Sequence, residues 1–290
     1  MKRTFYIAGG DERMVHLANA LALDGEDVSV FALDGAGKLC DKVKTSTDLR
    51  ESADHGIVIL PLPVSDANGF LTAPFAEEKY RLSKFLETLH PGTVLFGGKF
   101  SAENKEAAKK RELLLCDYYE REEFTVRNAS LTAEAAVALS LELLKESIRE
   151  TPVLILGHGR IGRLLLAMLK ALDADVTVAA RRFSDLAWIR SEGGTPLEFC
   201  RLKESLGKFR VIFNTVPAPV LGREELMLAR KDAILIDLAS APGGIDIEAA
   251  QDLGLNARMA LGLPGKFAPK TAGEIIRDTN RNELKEREVL

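Results

Sequence analysis

Apolar positions along the chain follow two periods. Short apolar runs about as long as one strand recur between longer stretches in which apolar residues fall every three or four positions, the pattern of a parallel sheet with helices on its faces. The runs predict strands at Phe5 to Ala8, Val28 to Ala32, Gly56 to Leu60 and Val94 to Phe96, with a weaker one at Phe124 to Val126. Between the first two, Val15, Leu17, Ala18, Leu21 and Leu23 supply a helical apolar face. From Thr132 to Arg149 the chain is rich in helix formers and holds neither glycine nor proline, which predicts one long joining helix.

Pro152 follows, and a second alternation begins. Strands are expected at 153–156, 175–179, 210–213 and 233–238, helices at 161–172, 184–192 and 222–229, and a last short strand near Arg258 to Ala260. Thr271 to Leu290 reads as a terminal helix, with Arg277, Arg281, Lys285 and Arg287 on a solvated side and Ile275, Ile276 and Leu284 free to pack back on the first domain. The expected fold is α/β in two domains, each a parallel sheet with flanking helices. Residues 1–131 form the N-terminal domain, 132–150 the linking helix, 151–270 the second domain and 271–290 the returning helix.

Composition narrows the function classes. A chain of 290 residues suits two domains with separate cores, and 46% hydrophobic residues at a mean hydropathy of -0.01 leave no surplus for a membrane. No apolar run reaches bilayer length, and the N-terminus reads as a first strand rather than a leader. A net charge of -4 lacks the excess cation that nucleic-acid phosphates demand. Cys40, Cys116 and Cys200 stand apart without C-x-x-C spacing, so neither disulfide nor metal site is expected. Each is expected to be a small buried residue, and the reducing cytoplasm is the expected location.

One motif carries chemistry. Gly157-His158-Gly159-Arg160-Ile161-Gly162 follows an apolar strand, opens a helix and is succeeded by a second strand, the context of a Rossmann dinucleotide-binding turn. Gly157 permits the tight turn, Gly159 lets pyrophosphate approach the backbone, and Gly162 allows close helix packing. His158 and Arg160 read as variable positions of the loop rather than catalytic groups, and with Ile161 they count among the cofactor contacts. The second strand ends in Ala180-Arg181-Arg182, where NAD-binding domains carry an acid for the ribose hydroxyls. Two forked guanidinium groups, with the Ser184 hydroxyl nearby, point to the 2′-phosphate of NADP, NAD being the alternative. Thr215, Val216 and Pro217 follow one later strand and Ala239 and Ser240 the next, so their backbones are expected at the dinucleotide. His158 is the only histidine after residue 90, which rules out a late His-carboxylate pair of the 2-hydroxyacid dehydrogenase kind.

Further segments resemble one family throughout both domains. These are Gly9-Gly10-Asp11-Glu12-Arg13, Leu60-Pro61-Leu62-Pro63-Val64-Ser65, Asn128 through Glu134, Asn214-Thr215-Val216-Pro217, Asp237-Leu238-Ala239-Ser240 with Pro242-Gly243-Gly244, and Gly262-Leu263-Pro264-Gly265 with Ala268 through Gly273. Together they resemble the A subunit of dipicolinate synthase. Departures are Ser130-Leu131 before Thr132, Ala135 after Glu134, and Ala241 where the family has arginine.

The resemblance implies oxidation of dihydrodipicolinate, or its 4-hydroxytetrahydro form, to pyridine-2,6-dicarboxylate in sporulation. NADP would accept the hydride, and the flavoprotein-like B subunit of dipicolinate synthase would be the partner. It also gives roles to residues. Arg13, oriented by Asp11, and Ser65 would bind substrate carboxylates in the cleft between domains, and Lys270 would add a cation from the second domain. Glu134, in the first turn of the linking helix, would serve as a base, or simply favour the helix dipole. Tyr80 and Lys84 have helical spacing but no assigned role. Two alternatives stay open: an NADP-binding subunit without turnover of its own, and another two-domain dehydrogenase of amino or imino acids. A homo-oligomer is also compatible with the sequence.

Overall fold

A computed structural model describes residues 3–33, 35 and 37–287. The chain divides into two compact units, the first running to Asn128 and resuming at Ala268, the second covering Ala129–Phe267. In the first, β1 (Thr4–Ala8), β2 (Asp27–Phe31), β3 (Val43–Ser46), β4 (Ile57–Ile59), β5 (Val94–Gly97) and β6 (Leu114–Asp117) make a six-stranded sheet ordered β3-β2-β1-β4-β5-β6. All of its pairings are parallel, with Phe5 opposite Val28 on one side and Ile57 on the other. Helices α1 (Glu12–Leu23), α2 (Leu82–Thr88) and α3 (Ala102–Lys110) connect the strands, and α4 (Glu122–Leu144) carries the chain into the second unit.

The second unit contains β7 (Pro152–Leu156), α5 (Arg160–Ala171), β8 (Asp175–Ala180), α6 (Phe183–Ser191), β9 (Thr195–Glu198), α7 (Leu202–Ser205) and β10 (Val211–Asn214). It continues through α8 (Arg223–Leu228), β11 (Ile234–Asp237), α9 (Ile247–Asp252), β12 (Asn256–Met259) and α10 (Leu263–Phe267). Its sheet is ordered β12-β11-β10-β7-β8-β9 and is parallel throughout. Counted from each unit's own first strand, both sheets have the Rossmann order 3-2-1-4-5-6, with a switch point between β1 and β4 and another between β7 and β10. Helices cover both faces, so the central strands are apolar at every position: Val153 through Leu156 are fully buried. One core layer sets Leu165 and Leu169 of α5 and Ala136 of α4 against Val153, Ile155 and Val176. The opposite layer sets Leu206, Leu226 and Ala250 against Leu154, Leu156 and Ile212.

Several expectations change. The weak strand at Phe124 to Val126 lies inside α4, which starts ten residues before Thr132 and stops at Leu144, where Lys145 turns left-handed with φ 55. Glu122 and Glu123 in the first turn suit the helix dipole there. Glu134 is therefore mid-helix, and the dipole explanation no longer applies to it. The sixth strand of the first sheet is β6, and the edge strands β3 and β9 were not foreseen.

The terminal helix α11 (Pro269–Glu286) starts earlier than expected, and the end of the expected span, 288–290, lies outside the described residues. It packs on α1 with Ile275, Ile276 and Leu284 buried. Gly273 makes the approach possible, since a Cβ there would lie 2.4 Å from the Arg13 carbonyl oxygen. Its arginines are paired, not merely solvated: Arg277 and Arg281 reach Asp24, and Arg287 pairs with Glu283. Arg121 binds Glu283 and Glu286, and Arg127 binds Asp278 at 2.9 Å. Lys270, in the first turn of α11, belongs to the first unit rather than the second. Tyr80 precedes α2 and shares no helical face with Lys84. Among the described residues no helix is long and apolar enough to cross a membrane.

Candidate functional site

The turn from β7 into α5 is built by its glycines. Gly157 has φ 96, and a Cβ on it would lie 2.6 Å from the Thr215 hydroxyl oxygen. A Cβ on Gly162 would lie 2.2 Å from the Gly157 carbonyl oxygen, so the helix rests directly on the turn. Gly159 differs, because nothing lies within 4 Å of its Cβ position and it caps α5 without a side-chain hydrogen bond. The first N–H groups of an uncapped helix attract anions. They adjoin a cavity of about 550 Å³ lined by Gly157, His158, Gly159, Arg181, Arg182 and Asp185, with Ala180, Phe199 and Val216. A second cavity of about 340 Å³ shares Arg181, Phe199 and Val216 and takes in Cys200 and Pro219. An open cradle with phosphate-seeking groups fits a dinucleotide.

The expected cofactor residues are thus only partly gathered. Gly157, His158, Gly159, Arg181, Arg182 and Val216 share one cavity wall. Arg160 and Ile161 open α5, and Ile161 packs on the core. Ser184 is exposed and outside the lining. Thr215 uses its hydroxyl to donate to the Leu156 carbonyl at 2.8 Å, Pro217 and Ser240 are exposed, and Ala239 is buried. Of the cysteines only Cys116 is buried; Cys40 is half-buried and Cys200 exposed, because Cys200 lies in the short turn bordering the second cavity.

Three residues support the site in roles that the sequence does not assign them. Asp237 is fully buried at the end of β11 and accepts from Asn214 Nδ2 at 2.8 Å, Ala239 N at 3.0 Å, Gly244 N at 2.7 Å and Ile245 N at 2.9 Å. Asn214 Oδ1 accepts from Val216 N at 3.1 Å, so the pair folds both loops at this edge of the sheet. Buried polar groups need such partners. Their signal in the sequence is an amide and an acid at the ends of apolar strands, each opening a segment that resembles the family. The third is Glu192, whose Oε2 lies 2.9 Å from His158 Nε2 and whose Oε1 lies 2.6 Å from Arg163 Nη2. Burial pushes its carboxyl up, but His158 and Arg163 outweigh that and hold it below the usual range. With its side chain 2% exposed, His158 anchors the glycine turn.

The matching turn of the first unit is filled. A Cβ on Gly10 would lie 2.3 Å from Met14 Cγ, and Gly10 N donates to the Thr72 carbonyl. Asp11 caps α1, accepting from Arg13 N at 3.1 Å, and its two oxygens take Arg13 Nε and Nη2 at 2.8 Å each. Arg13 Nη2 also donates to the Leu62 carbonyl at 2.8 Å. Burial opposes the guanidinium charge, yet the Asp11 bond and charge raise its pKa overall. Ser65 is half-buried in a short hairpin that pairs it with Leu71, and Lys270 and Glu134 are exposed. Among the described residues no group of three or more His, Cys, Asp or Glu could hold a metal.

Residues 4–119 match the family described as the N-terminal domain of the dipicolinate synthase A subunit, and residues 124–249 match the D-isomer specific 2-hydroxyacid dehydrogenase NAD binding domain. The dipicolinate synthase A subunit of Bacillus subtilis (strain 168) is 31% identical over 274 residues, covering 93% of this chain and 92% of that protein. This chain belongs to the family of dipicolinate synthase A subunits. The crystal structure of the dipicolinate synthase A subunit from Bacillus halodurans superposes with a TM-score of 0.87 at 28% identity, covering 97% of each chain. A transhydrogenase from Sinorhizobium meliloti shares the fold with a TM-score of 0.74 at 16% identity, over 98% of this chain and 94% of its own. As a member of this dipicolinate synthase family with a dehydrogenase-type NAD-binding domain, the chain is a nicotinamide-dependent oxidoreductase.

Proposed function

We propose that this chain oxidises dihydrodipicolinate, or its 4-hydroxytetrahydro form with loss of water, to pyridine-2,6-dicarboxylate with NADP, acting with a second, flavoprotein-like subunit. The observation that carries the reading is an intact, uncapped dinucleotide cradle at Gly159 in a chain that matches the synthase A subunit over nearly its whole length. The nicotinamide, when bound, supplies the hydride acceptor. The α5 N–H groups hold the pyrophosphate, and Arg181, which makes no ion pair with a described residue, meets the 2′-phosphate.

In the first unit the Asp11 carboxylate fixes the Arg13 guanidinium, which leaves Nη1 to meet a substrate carboxylate. The Ser65 hydroxyl and the Lys270 ammonium of the same unit supply further donors, and the exposed Glu134 of the second unit is the carboxylate offered as proton acceptor. Two carboxylates leaving water need such partners. Formation of pyridine dicarboxylate from a dihydrodipicolinate source with NADP, with and without the partner, tests the reaction. Arg13→Ala and Lys270→Ala are each expected to raise KM or cut turnover about tenfold or more, with NADP affinity nearly unchanged. If both behave like wild type, the carboxylate contacts are wrong. If NADP binds but no product forms under either condition, the chain is a binding subunit instead.

A further inference from the structure

We propose that Asp185 moderates the preference for NADP over NAD, by holding Arg182 in an ion pair on the wall of the cofactor cavity. The inference rests on the dinucleotide reading of the second unit and goes beyond it by assigning the selectivity to one carboxylate.

The two arginines that end β8 are not equivalent. Arg181 borders both cavities, and its side chain makes no hydrogen bond or ion pair with a described residue. Arg182 caps α6 and turns along it, its Nε 2.9 Å from Asp185 Oδ2 and its Nη2 3.1 Å from Oδ1. That fork-to-fork contact takes two of the five guanidinium donors and cancels the charge. The Arg182 side chain is 77% exposed and that of Asp185 19%, so the acid is the better fixed partner. Both line the cavity of about 550 Å³ beside Gly159.

The ribose 2′ position distinguishes the two dinucleotides. A 2′-phosphate asks for positive charge and N–H donors, which Arg181 offers. A 2′-hydroxyl asks for an acceptor, and Asp185 keeps lone pairs beyond those Arg182 occupies. While the pair stands, a 2′-phosphate meets one uncompensated guanidinium instead of two and also faces a carboxylate. An ion pair this exposed is worth little by itself, so a phosphate can compete for Arg182. The device therefore moderates the preference for NADP rather than abolishing it.

Calorimetric titration of NADP and NAD into the full chain tests this with Asp185→Asn, Arg182→Ala, Arg181→Ala and the Asp185→Asn, Arg182→Ala double variant. Asp185→Asn is expected to raise the ratio of NADP to NAD affinity about tenfold, tightening NADP and weakening NAD. In the Arg182→Ala background the same change is expected to give a smaller gain, because part of it comes from the released guanidinium. Arg181→Ala is expected to weaken NADP more than Arg182→Ala does. An unchanged ratio in Asp185→Asn, with both cofactors still bound, overturns the role of Asp185; Asp185→Ser repeats the test should the amide variant fold poorly. Wild type that binds neither cofactor overturns the dinucleotide reading itself, a different result.

Discussion

The turns β1–α1 and β7–α5 hold the same place in sheets of the same strand order, and they treat an incoming anion in opposite ways. At Gly159 the helix N-terminus has no side-chain cap and open space around the Cβ position. At Asp11 the helix supplies its own anion, and Arg13 locks that anion in place while Met14 and Thr72 crowd the glycines beside it. Topology alone thus fixes where a ligand could bind; the residue at the cap decides whether the place is vacant. One unit keeps the nucleotide-binding form of the fold, and the other has turned the same corner into an ion pair between a half-exposed Asp11 and a mostly buried Arg13.

The sharpest way to break the contrast is to spoil the vacant turn. Gly162→Ala puts a methyl 2.2 Å from the Gly157 carbonyl oxygen, a backbone atom that must move, so dinucleotide affinity is expected to drop about a hundredfold or more. Calorimetry with NADP reads the loss, and affinity within a few-fold of wild type would show that the turn tolerates helix displacement. The converse experiment vacates the filled turn. Asp11→Ala removes a cap worth about 1 kcal/mol and leaves a mostly buried guanidinium short of its partner, at a further cost of about 1–3 kcal/mol. Denaturant unfolding should register that loss. With Gly159→Asp blocking the second unit, Asp11→Ala is expected to gain no NADP binding, since Met14 still fills the corner; measurable binding would show that the cap alone excludes the ligand.

The smallest effect compares the two units by acid. Asp278 in the first is pushed up by burial but held below its usual range by Arg127 and Arg277, and Glu192 in the second behaves likewise beside His158 and Arg163. A carboxylate whose folded pKa is depressed lends stability above its unfolded pKa, about 4, and loses it as pH falls through the lower folded value. The thermal midpoint is therefore expected to decline between about pH 5 and pH 3, and more gently in Asp278→Asn and in Glu192→Gln. Equal slopes in wild type and variants would remove these two pairs from the account.

What the sequence reveals depends on how local the signal is. The central strands declare themselves because helices cover both faces, leaving runs such as Val153 to Leu156 with no polar position. The edge strand β3, Val43-Lys44-Thr45-Ser46, has one strongly apolar residue, and β9 is at most half-buried, so neither shows as a run. The start of α4 is hidden by Phe124-Thr125-Val126, whose aromatic and β-branched residues read as a short strand, and its end falls at a lysine rather than a glycine. At the site, the glycine turn is contiguous in sequence and was legible. The Glu192 to His158 contact spans 34 residues and was not. The Arg182 to Asp185 pair has an i,i+3 spacing visible in the sequence, but adjacent arginines at a strand end look alike until the structure separates them. Lys270 reads with the second unit in the sequence because the glycine- and proline-containing stretch that precedes it runs on without a break to the start of α11, although the residue belongs to the first unit.

The return of α11 to α1 has a bearing on biosynthesis. A ribosome delivers Met14, Val15, Leu17 and Leu21 of α1 early, but the helix carrying Ile275, Ile276 and Leu284 emerges only after the whole of the second unit. Domains tend to fold in the order they are made. Here the second unit has every strand it needs by Met259, while the first still waits for its cover. The nascent chain thus passes through a stage in which its nucleotide-binding half is complete and its N-terminal half presents an unclad helix. A stop codon after Phe267 would make that stage permanent.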